Sequence, residues 1–235
     1  SSKEVKELIQ EMQIMAEDIY LRQNEEFISE PENNKLRTIF SQHLFSSAFE
    51  KTAKDSRILD KVQQLLGGDV YMHHSRINIK PAYKGKSFPW HSDFETWHCE
   101  DGLPRCRCLT AWIMLTDNTE FNGPLYLIPE SHKKFVSCKG VTPDENYKQS
   151  LKKQEYGVPS INAIKELSKD NELIGVYGKA GTLVIHDGNM MHGSPDNISP
   201  NDRTNAFFVY NSLDNKPEKP FGAKKNRADF LCLKD

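Results

Sequence analysis

The chain has 235 residues and a formal net charge of −2, with 31 Lys and Arg against 33 Asp and Glu. Because so balanced a chain creates no global field for nucleic acid or an anionic membrane, we expect neither as a partner. We also expect no signal peptide and no membrane span, since no apolar run approaches the roughly 20 residues that cross a bilayer.

Helices are predicted in the first part of the chain. Residues 3–19 repeat apolar side chains at the helical spacing and predict an amphipathic helix. A second helix is predicted over Ser56–Leu66, where Gly67 and Gly68 would end it.

Beyond residue 68 the apolar period becomes that of β-strands. Five strand segments are predicted, at 70–80, 107–117, 122–129 (a turn and a strand), 181–187 and 203–212. A polar insertion, 144–170, is predicted to hold two short helices. Strands separated by Gly, Pro and Asn, with helices gathered near the N-terminus, predict a mainly β sandwich or barrel with flanking helices. We expect one domain spanning 1–235.

Strand alternation also predicts which side chains share a face. In the first long strand these are Met72, His74, Arg76 and Asn78. Asn122 and Gly123 predict a tight turn between strands, and we interpret Ser131 and His132 as structural residues of the loop that follows.

The five cysteines predict reduced thiols and hence a cytoplasmic protein. Cys106 and Cys108 would share a strand face, but their Cα atoms would lie near the upper limit for a disulfide. A zinc site is disfavoured because the paired C-x-x-C spacing is missing. Its candidate ligands would be Cys99, Cys106, Cys108 and Cys138.

The segment FPWHSDFETWHCEDG, residues 88–102, combines many charges with large rings and is the first candidate site. His91 and Asp93, two positions apart at a strand exit, can converge on one ion. A second histidine, His192, would complete a set of two imidazoles and one carboxylate, which suits Fe(II) that must also bind a cosubstrate and oxygen. Alternative positions remain open, at His98 with Glu100 and at His186 with Asp187.

Arg203 follows His192 by eleven residues, at the start of the last predicted strand. Its guanidinium could pair with the far carboxylate of a diacid that already chelates the metal. The alternative interpretation is a surface charge at a strand end. His98 lies close enough in the sequence to the candidate ligands that it could orient one of them by a hydrogen bond.

The sequence resembles the phytanoyl-CoA dioxygenase superfamily, and within it the ectoine hydroxylases. Three stretches carry the resemblance: the 88–102 segment, LTDNTEFNGPLYLIPESHK, and MHGS with Arg203 after it. The resemblance covers nearly the whole chain. It implies a double-stranded β-helix (a cupin-like jelly roll) that uses Fe(II), 2-oxoglutarate and O2. It implies that iron is held by His91, Asp93 and His192, and that Arg203 anchors the C5 carboxylate of 2-oxoglutarate.

Further residues take roles only through this resemblance. Asn78 and Phe88 match positions that contact 2-oxoglutarate. The predicted substrate-binding positions are Arg76, Trp97, Thr110, Phe207 and His74. Ring faces and a guanidinium would suit a small cyclic zwitterion, although ordinary core packing remains an alternative for Trp97 and Phe207.

The chain departs from the ectoine hydroxylases at three positions: His74 replaces glutamine, Trp112 replaces serine and Cys108 replaces alanine. Trp112 on an inward face would narrow the pocket or cover the cosubstrate. A substrate that no longer fits would lose roughly 1–3 kcal/mol of binding free energy. By the resemblance we also expect the chain to lack the strand before the first helix and the C-terminal tail of those enzymes.

The sequence therefore predicts an enzyme, a small-molecule hydroxylase. By resemblance the reaction converts ectoine to 5-hydroxyectoine, a compatible solute, with free L-proline or another small cyclic amino acid as the alternative substrate. Two other classes stay open: a catalytically inactive jelly-roll binding protein, and a metal hydrolase, which would have no need of Arg203. A homodimer is the assembly we expect.

Overall fold

The computed structural model describes residues 1–30, 34–138, 158–224 and 226–233. Its helices are α1 (Ser2–Glu17), α2 (Gln42–Phe45), α3 (Ser47–Ala53), α4 (Ser56–Leu66), α5 (Asp93–Thr96) and α6 (Ile161–Ser168). Its strands are β1 (Phe27–Ser29), β2 (Leu36–Phe40), β3 (Val70–Lys80), β4 (Phe88–His91), β5 (Cys108–Met114), β6 (Leu125–Leu127), β7 (Ile174–Val176), β8 (Leu183–Asp187), β9 (His192–Ser194) and β10 (Arg203–Ser212). A π-helical turn, Trp97–Asp101, follows α5.

The strands form two antiparallel sheets. The larger sheet has the order β1-β2-β3-β10-β5-β8, and the smaller has the order β4-β9-β6-β7. Two antiparallel sheets with helices outside them are the arrangement of a jelly roll. The predicted mainly β jelly roll with flanking helices is therefore confirmed.

Local sequence explains where the two predicted helices begin and end. Ser1 and Glu4 form a capping box at the start of α1, and the Asp55 side chain accepts a hydrogen bond from the Arg57 amide at the start of α4. Gly67 ends α4 with φ of 73°, a conformation that glycine adopts without strain. The prediction of a helix over 3–19 was two residues too long at its C-terminal end.

One face of the larger sheet packs against the helices. Ile77 of β3 and Phe208 of β10 lie in one buried cluster with helical side chains such as Leu8, Phe49 and Val62. Burial of these apolar groups holds the helices on the sheet. Because successive side chains in a strand alternate, the other face of β3 and β10 is left for polar residues beside the smaller sheet.

A β-bulge changes which residues share the polar face of β3. Val209 of β10 pairs with His74, but the next residue, Tyr210, pairs with Met72, so the intervening residue of β3 has no partner. Met72 therefore packs against the helix-covered core. The prediction that Met72 shares a face with His74 and Asn78 is wrong, because a bulge reverses the alternation.

The polar insertion contains α6 in its described part. The other helix predicted in 144–170 would fall in 144–157, outside the described residues. The described cysteines are free thiols. Among the described helices, none combines the length and the apolar character that a membrane crossing requires.

Candidate active site

Pairing of two short strands brings the candidate metal ligands together. His91 at the end of β4 is the direct partner of His192 at the start of β9, and their ring centroids lie 4.1 Å apart. Asp93 opens α5 immediately after β4. Its carboxylate oxygens lie 3.6 Å from His91 Nε2 and 3.9 Å from His192 Nε2. One atom from each of the three residues thus lies within 4.8 Å of the other two.

Backbone carbonyls fix the tautomers of both histidines. His91 Nδ1 donates to the Pro89 carbonyl and His192 Nδ1 donates to the Met190 carbonyl, each at 2.8 Å. A carbonyl can only accept, so the proton resides on Nδ1 and the Nε2 lone pair faces Asp93. Metal-binding histidines are commonly oriented in this way.

The charges of the three residues suit a divalent cation. Burial and the neighbouring His91 lower the pKa of His192 to about 3, so its ring is neutral at neutral pH. Burial alone would raise the pKa of Asp93, but His192 and His91 outweigh it and hold that pKa below its usual range. Two imidazoles and one carboxylate form a donor set that fits Fe(II) with open coordination positions.

Asn189 positions the loop that carries His192. Its side-chain oxygen accepts a hydrogen bond from Ser92 Oγ at 3.0 Å, between the two residues of the H-x-D motif. Its side-chain nitrogen donates to the His132 and Lys134 carbonyls at 2.9 and 3.1 Å. The interpretation of the 131–132 loop as structural agrees with these contacts.

A second cluster of candidate ligands has a different character. The potential ligand atoms of His73, Asp101 and Cys232 also lie within 4.8 Å of one another, and all three residues are buried. The two Asp101 oxygens, however, accept from Arg227 Nε and Nη2 at 2.7 and 2.6 Å. Because a guanidinium already neutralises this carboxylate on both oxygens, the cluster is a buried ion pair and not a cation site.

A cavity of about 190 Å³ adjoins the His91, Asp93 and His192 group. One water needs roughly 10–15 Å³, so the cavity is of ligand size. Of the sequence-predicted site residues, it is lined by His91, Asp93, His192, Arg203, Asn78, Phe88, Arg76 and Phe207. Both sheets contribute to its walls.

Buried cations give the cavity an anion-binding character. Arg203 donates from Nη2 to Asn78 Oδ1 at 3.1 Å, while its Nε has no hydrogen-bond partner. Arg76 lies with its guanidinium carbon 5.2 Å from the Phe207 ring centroid, and its Nε also lacks a partner. Burial and the nearby Arg76 lower the pKa of Arg203 to about 10. Buried polar groups are normally satisfied, so these free donors point to a polar ligand.

Three predicted substrate residues lie outside the cavity lining. Trp97 packs in a buried cluster with Leu103 and Cys108, which is the core-packing alternative. His74 and Thr110 both pair with Val209 and so flank it on the polar face of the larger sheet. The His74 Nδ1 and Thr110 Oγ1 atoms are buried without a partner. Their contact with a substrate stays a prediction.

Trp112 lies beside Phe207 on the same face of the larger sheet. Its ring is fully buried and stacks on Phe207, with centroids 5.5 Å apart and an interplanar angle of 25°. The cross-strand register places Phe207 between Trp112 and Arg76. Trp112 is not among the residues that line the cavity, and its effect on the width of the pocket stays a prediction.

Besides the predicted set, the cavity lining includes further residues, among them His186 and Lys80. His186, left open with Asp187 as an alternative ligand position, lines the cavity with its ring 5.4 Å from that of His192. Lys80 also lines it. The signal for Lys80 was present, because it is two positions beyond Asn78 on the same strand and shares its face.

Comparison with known proteins places this geometry in a family. A family model described as phytanoyl-CoA dioxygenase (PhyH) matches residues 1–205. The ectoine dioxygenase of Sphingopyxis alaskensis is 49% identical over 205 residues, which are 87% of this chain and 67% of that protein. The crystal structure of EctD from S. alaskensis with 2-oxoglutarate and 5-hydroxyectoine has a TM-score of 0.88 at 40% identity, covering 99% of this chain and 76% of that one.

A crystal structure of EctD from S. alaskensis with bound Fe gives a TM-score of 0.83 at 38% identity, covering 100% of this chain and 77% of that one. These likenesses extend over most of the chain and confirm the resemblance inferred from its motifs. The chain belongs to the phytanoyl-CoA dioxygenase family.

Proposed function

We propose that this protein is an Fe(II)- and 2-oxoglutarate-dependent dioxygenase that hydroxylates ectoine to 5-hydroxyectoine. The observation that carries the proposal is the meeting of His91, Asp93 and His192 beside a cavity lined by buried cations. The 49% identity to an ectoine dioxygenase supports the choice of substrate. The 2-oxoglutarate and 5-hydroxyectoine named for an EctD crystal structure support it as well.

His91, Asp93 and His192 would hold the iron through the two Nε2 atoms and a carboxylate oxygen. The Fe named for a related structure supports this assignment. When bound, Fe(II) supplies the oxygen chemistry: O2, 2-oxoglutarate and a substrate C–H group give a C–OH group, succinate and carbon dioxide. The protein contributes binding, orientation and exclusion of water.

Arg203, Asn78 and Phe88 would bind the cosubstrate. Arg203 lines the cavity and has a buried Nε without a partner, and Asn78 accepts a hydrogen bond from its Nη2. A guanidinium matches the geometry of a carboxylate, which suits the C5 end of 2-oxoglutarate. The Phe88 ring, 4.4 Å from that of His91, forms an apolar wall beside the metal ligands.

The substrate would contact Arg76 and Phe207, with Trp97, Thr110 and His74 as further contacts from the resemblance. Arg76 can pair with the carboxylate of a small cyclic zwitterion, and a ring face such as that of Phe207 attracts its delocalised cation. The stack of Trp112 on Phe207 supports a fixed position for that ring. The product would serve as a compatible solute.

The remaining proposals concern the protein as a whole. One domain for 1–235 is supported by a continuous core shared by helices and sheet. A cytoplasmic location is supported by the free thiols. A homodimer stays a prediction from the sequence, which light scattering would test.

The test is a screen of ectoine, L-proline and pipecolate with Fe(II), 2-oxoglutarate and air. Ectoine should gain one oxygen by mass spectrometry, with an equal amount of succinate, and His91→Ala should abolish both. Oxygen gain with proline but not ectoine would overturn the substrate. No turnover of 2-oxoglutarate with any of the three would favour an inactive binding protein.

A further inference from the structure

The chain after β10 returns along the π-helical turn that follows α5. We call residues 218–224 and 226–232 the strap. Helical segments leave their last carbonyl oxygens without a partner inside the segment. The strap supplies donors here, because the amides of Gly222 and Ala223 both donate to the Cys99 carbonyl, at 2.8 and 2.9 Å. The strap therefore fixes the C-terminal end of the helical segment that starts with α5.

Further contacts hold the strap close to the turn. The Glu218 amide donates to the Gly102 carbonyl at 2.9 Å, and a Cβ atom at Gly102 would clash with the Glu218 carbonyl. Gly102 also has φ of 82°, a conformation that glycine adopts without strain. The Phe221 ring stacks on the His98 ring, with centroids 4.2 Å apart and an interplanar angle of 15°. The strap is thus fixed at several points, which a solvated chain segment does not require.

A chain of contacts leads from the strap to Trp97. Arg227 Nε and Nη2 donate to the two Asp101 carboxylate oxygens at 2.7 and 2.6 Å. Asp101 Oδ2 lies 3.3 Å from His73 Nε2, and the His73 ring meets the Trp97 ring edge to face, with centroids 5.4 Å apart. Asp101 and His73 are completely buried, so these neighbours set their positions. Edge-to-face packing is a preferred arrangement of two rings, so it favours one orientation of Trp97.

Trp97 also packs against the loop that leads to a metal ligand. A Cβ atom at Gly188 would lie 3.1 Å from Trp97 Cζ3. Gly188 follows β8 and precedes His192 by four residues, and its carbonyl accepts a hydrogen bond from the Phe94 amide at 2.9 Å. The ring of Trp97 therefore contacts both the group that the strap holds and the surroundings of the candidate iron site.

We propose that Arg227 is a positioning residue for substrate binding that acts on the Trp97 ring. Asp101 and His73 transmit its effect. The inference rests on the proposed function, in which Trp97 contacts the substrate, and it assigns a role to a residue that does not line the cavity. Without the guanidinium, the buried Asp101 charge has lost its cation and must find another arrangement. His73 and the Trp97 ring then lose their fixed orientation, and a small misplacement of a positioning group weakens ligand binding.

A purely structural role for Arg227 would lower only the stability of the fold. In that case an equally destabilising change elsewhere would have the same effect on binding. Ile58 of α4 supplies this control, because it is buried in the core between the helices and the larger sheet. Ile58→Ala leaves a cavity there and should lower Tm by a comparable amount.

Binding is measured by calorimetry on the full chain, so the result does not depend on turnover. Ectoine is titrated into protein loaded with Mn(II) and 2-oxoglutarate, at a temperature where circular dichroism shows each variant to be folded. We expect Arg227→Met to weaken ectoine binding about three- to tenfold, with 2-oxoglutarate and Mn(II) binding changed less than about twofold. Ile58→Ala should change ectoine binding less than about twofold. Arg227→Lys keeps the charge without the paired donors, so it should lose less, and it carries the test if Arg227→Met does not fold.

The route through Trp97 is tested in a Trp97→Ala background, because residues that act through one another are not additive. There Arg227→Met should weaken ectoine binding less than about twofold further; Trp97→Phe replaces Trp97→Ala if binding is too weak to measure, and the added loss should again be smaller than in the wild type. Fully additive losses, equal losses for ectoine and 2-oxoglutarate, or an equal effect of Ile58→Ala would overturn the role of Arg227. Failure of the wild-type chain to bind ectoine would instead overturn the proposed function.

Discussion

The buried ion pair between Arg227 and Asp101 should contribute strongly to the stability of the fold. Asp101 is 0% exposed, and its two carboxylate oxygens accept hydrogen bonds from Nε and Nη2 of Arg227. Arg227→Met would leave that carboxylate buried without its cation. Breaking a buried pair by removing one partner costs about 3–5 kcal/mol. For a chain of this size each kcal/mol lowers Tm by about 2–4 °C, so the expected loss is about 6–20 °C.

Thermal melting followed by circular dichroism measures this loss, and an exposed pair provides the matched control. Arg57 contacts Glu4 and Asp55 but its side chain is 64% exposed. Arg57→Met should therefore cost less than about 1 kcal/mol, or about 4 °C at most.

The double variant Asp101→Asn with Arg227→Met tests the physical reason. It removes both charges, so no buried charge is left without a partner and the loss should be smaller than for Arg227→Met alone. If Arg227→Met melts within a few degrees of the wild type, or if the double variant is the less stable of the two, the reasoning is wrong.

Three further predictions concern the site. Asn189→Ala should weaken Mn(II) binding about 10- to 100-fold in a calorimetric titration, because Asn189 positions the loop of a ligand; unchanged affinity would refute that role. Trp112→Ser should raise the KM for ectoine about two- to tenfold with a smaller change in kcat, because it removes the ring stacked on Phe207; an effect on kcat alone would count against it. Burial and Arg203 lower the pKa of Lys80 to about 7, so its charge is lost as pH rises through that value. Because Lys80 lines the cavity, the Kd of 2-oxoglutarate should then increase above pH 7 in the wild type but not in Lys80→Met. If Kd changes with pH in the same way in both proteins, the loss of charge on Lys80 is not the cause.

Local patterns were sufficient for the longer elements. α4 has an acidic cap, apolar side chains at helical spacing and a terminal glycine, all of which act within the element itself. In β10, apolar Ala206 and Phe208 alternate with residues of the opposite face. The sequence was therefore sufficient to predict which side chains of this strand face the core.

The remaining features depend on pairing between distant segments. β9 has three residues, His192–Ser194, and no apolar run marks it as a strand. The bulge that turns Met72 towards the helices exists only in the register with β10. The stack of Trp112 on Phe207 likewise depends on the register between β5 and β10. Neither register can be deduced from one strand alone.

The candidate ligands were recognisable because the H-x-D spacing and the later histidine belong to a long motif. Their physical fit was not visible in the sequence. It depends on the Pro89 and Met190 carbonyls, which accept from Nδ1 and leave each Nε2 free. Lys80 was overlooked because a lysine at a strand end is usually solvated, and only the structure shows it enclosed by Gly85 and Gly123.

The central claim is that His91, Asp93 and His192 hold an iron centre that uses molecular oxygen on a small zwitterion. Its most direct test is the reaction of ectoine and 2-oxoglutarate under ¹⁸O₂ in ordinary water, with product and succinate analysed by mass spectrometry. One ¹⁸O atom should enter hydroxyectoine and one should enter succinate. Product oxygen derived from water, or product formed without succinate, would contradict the account.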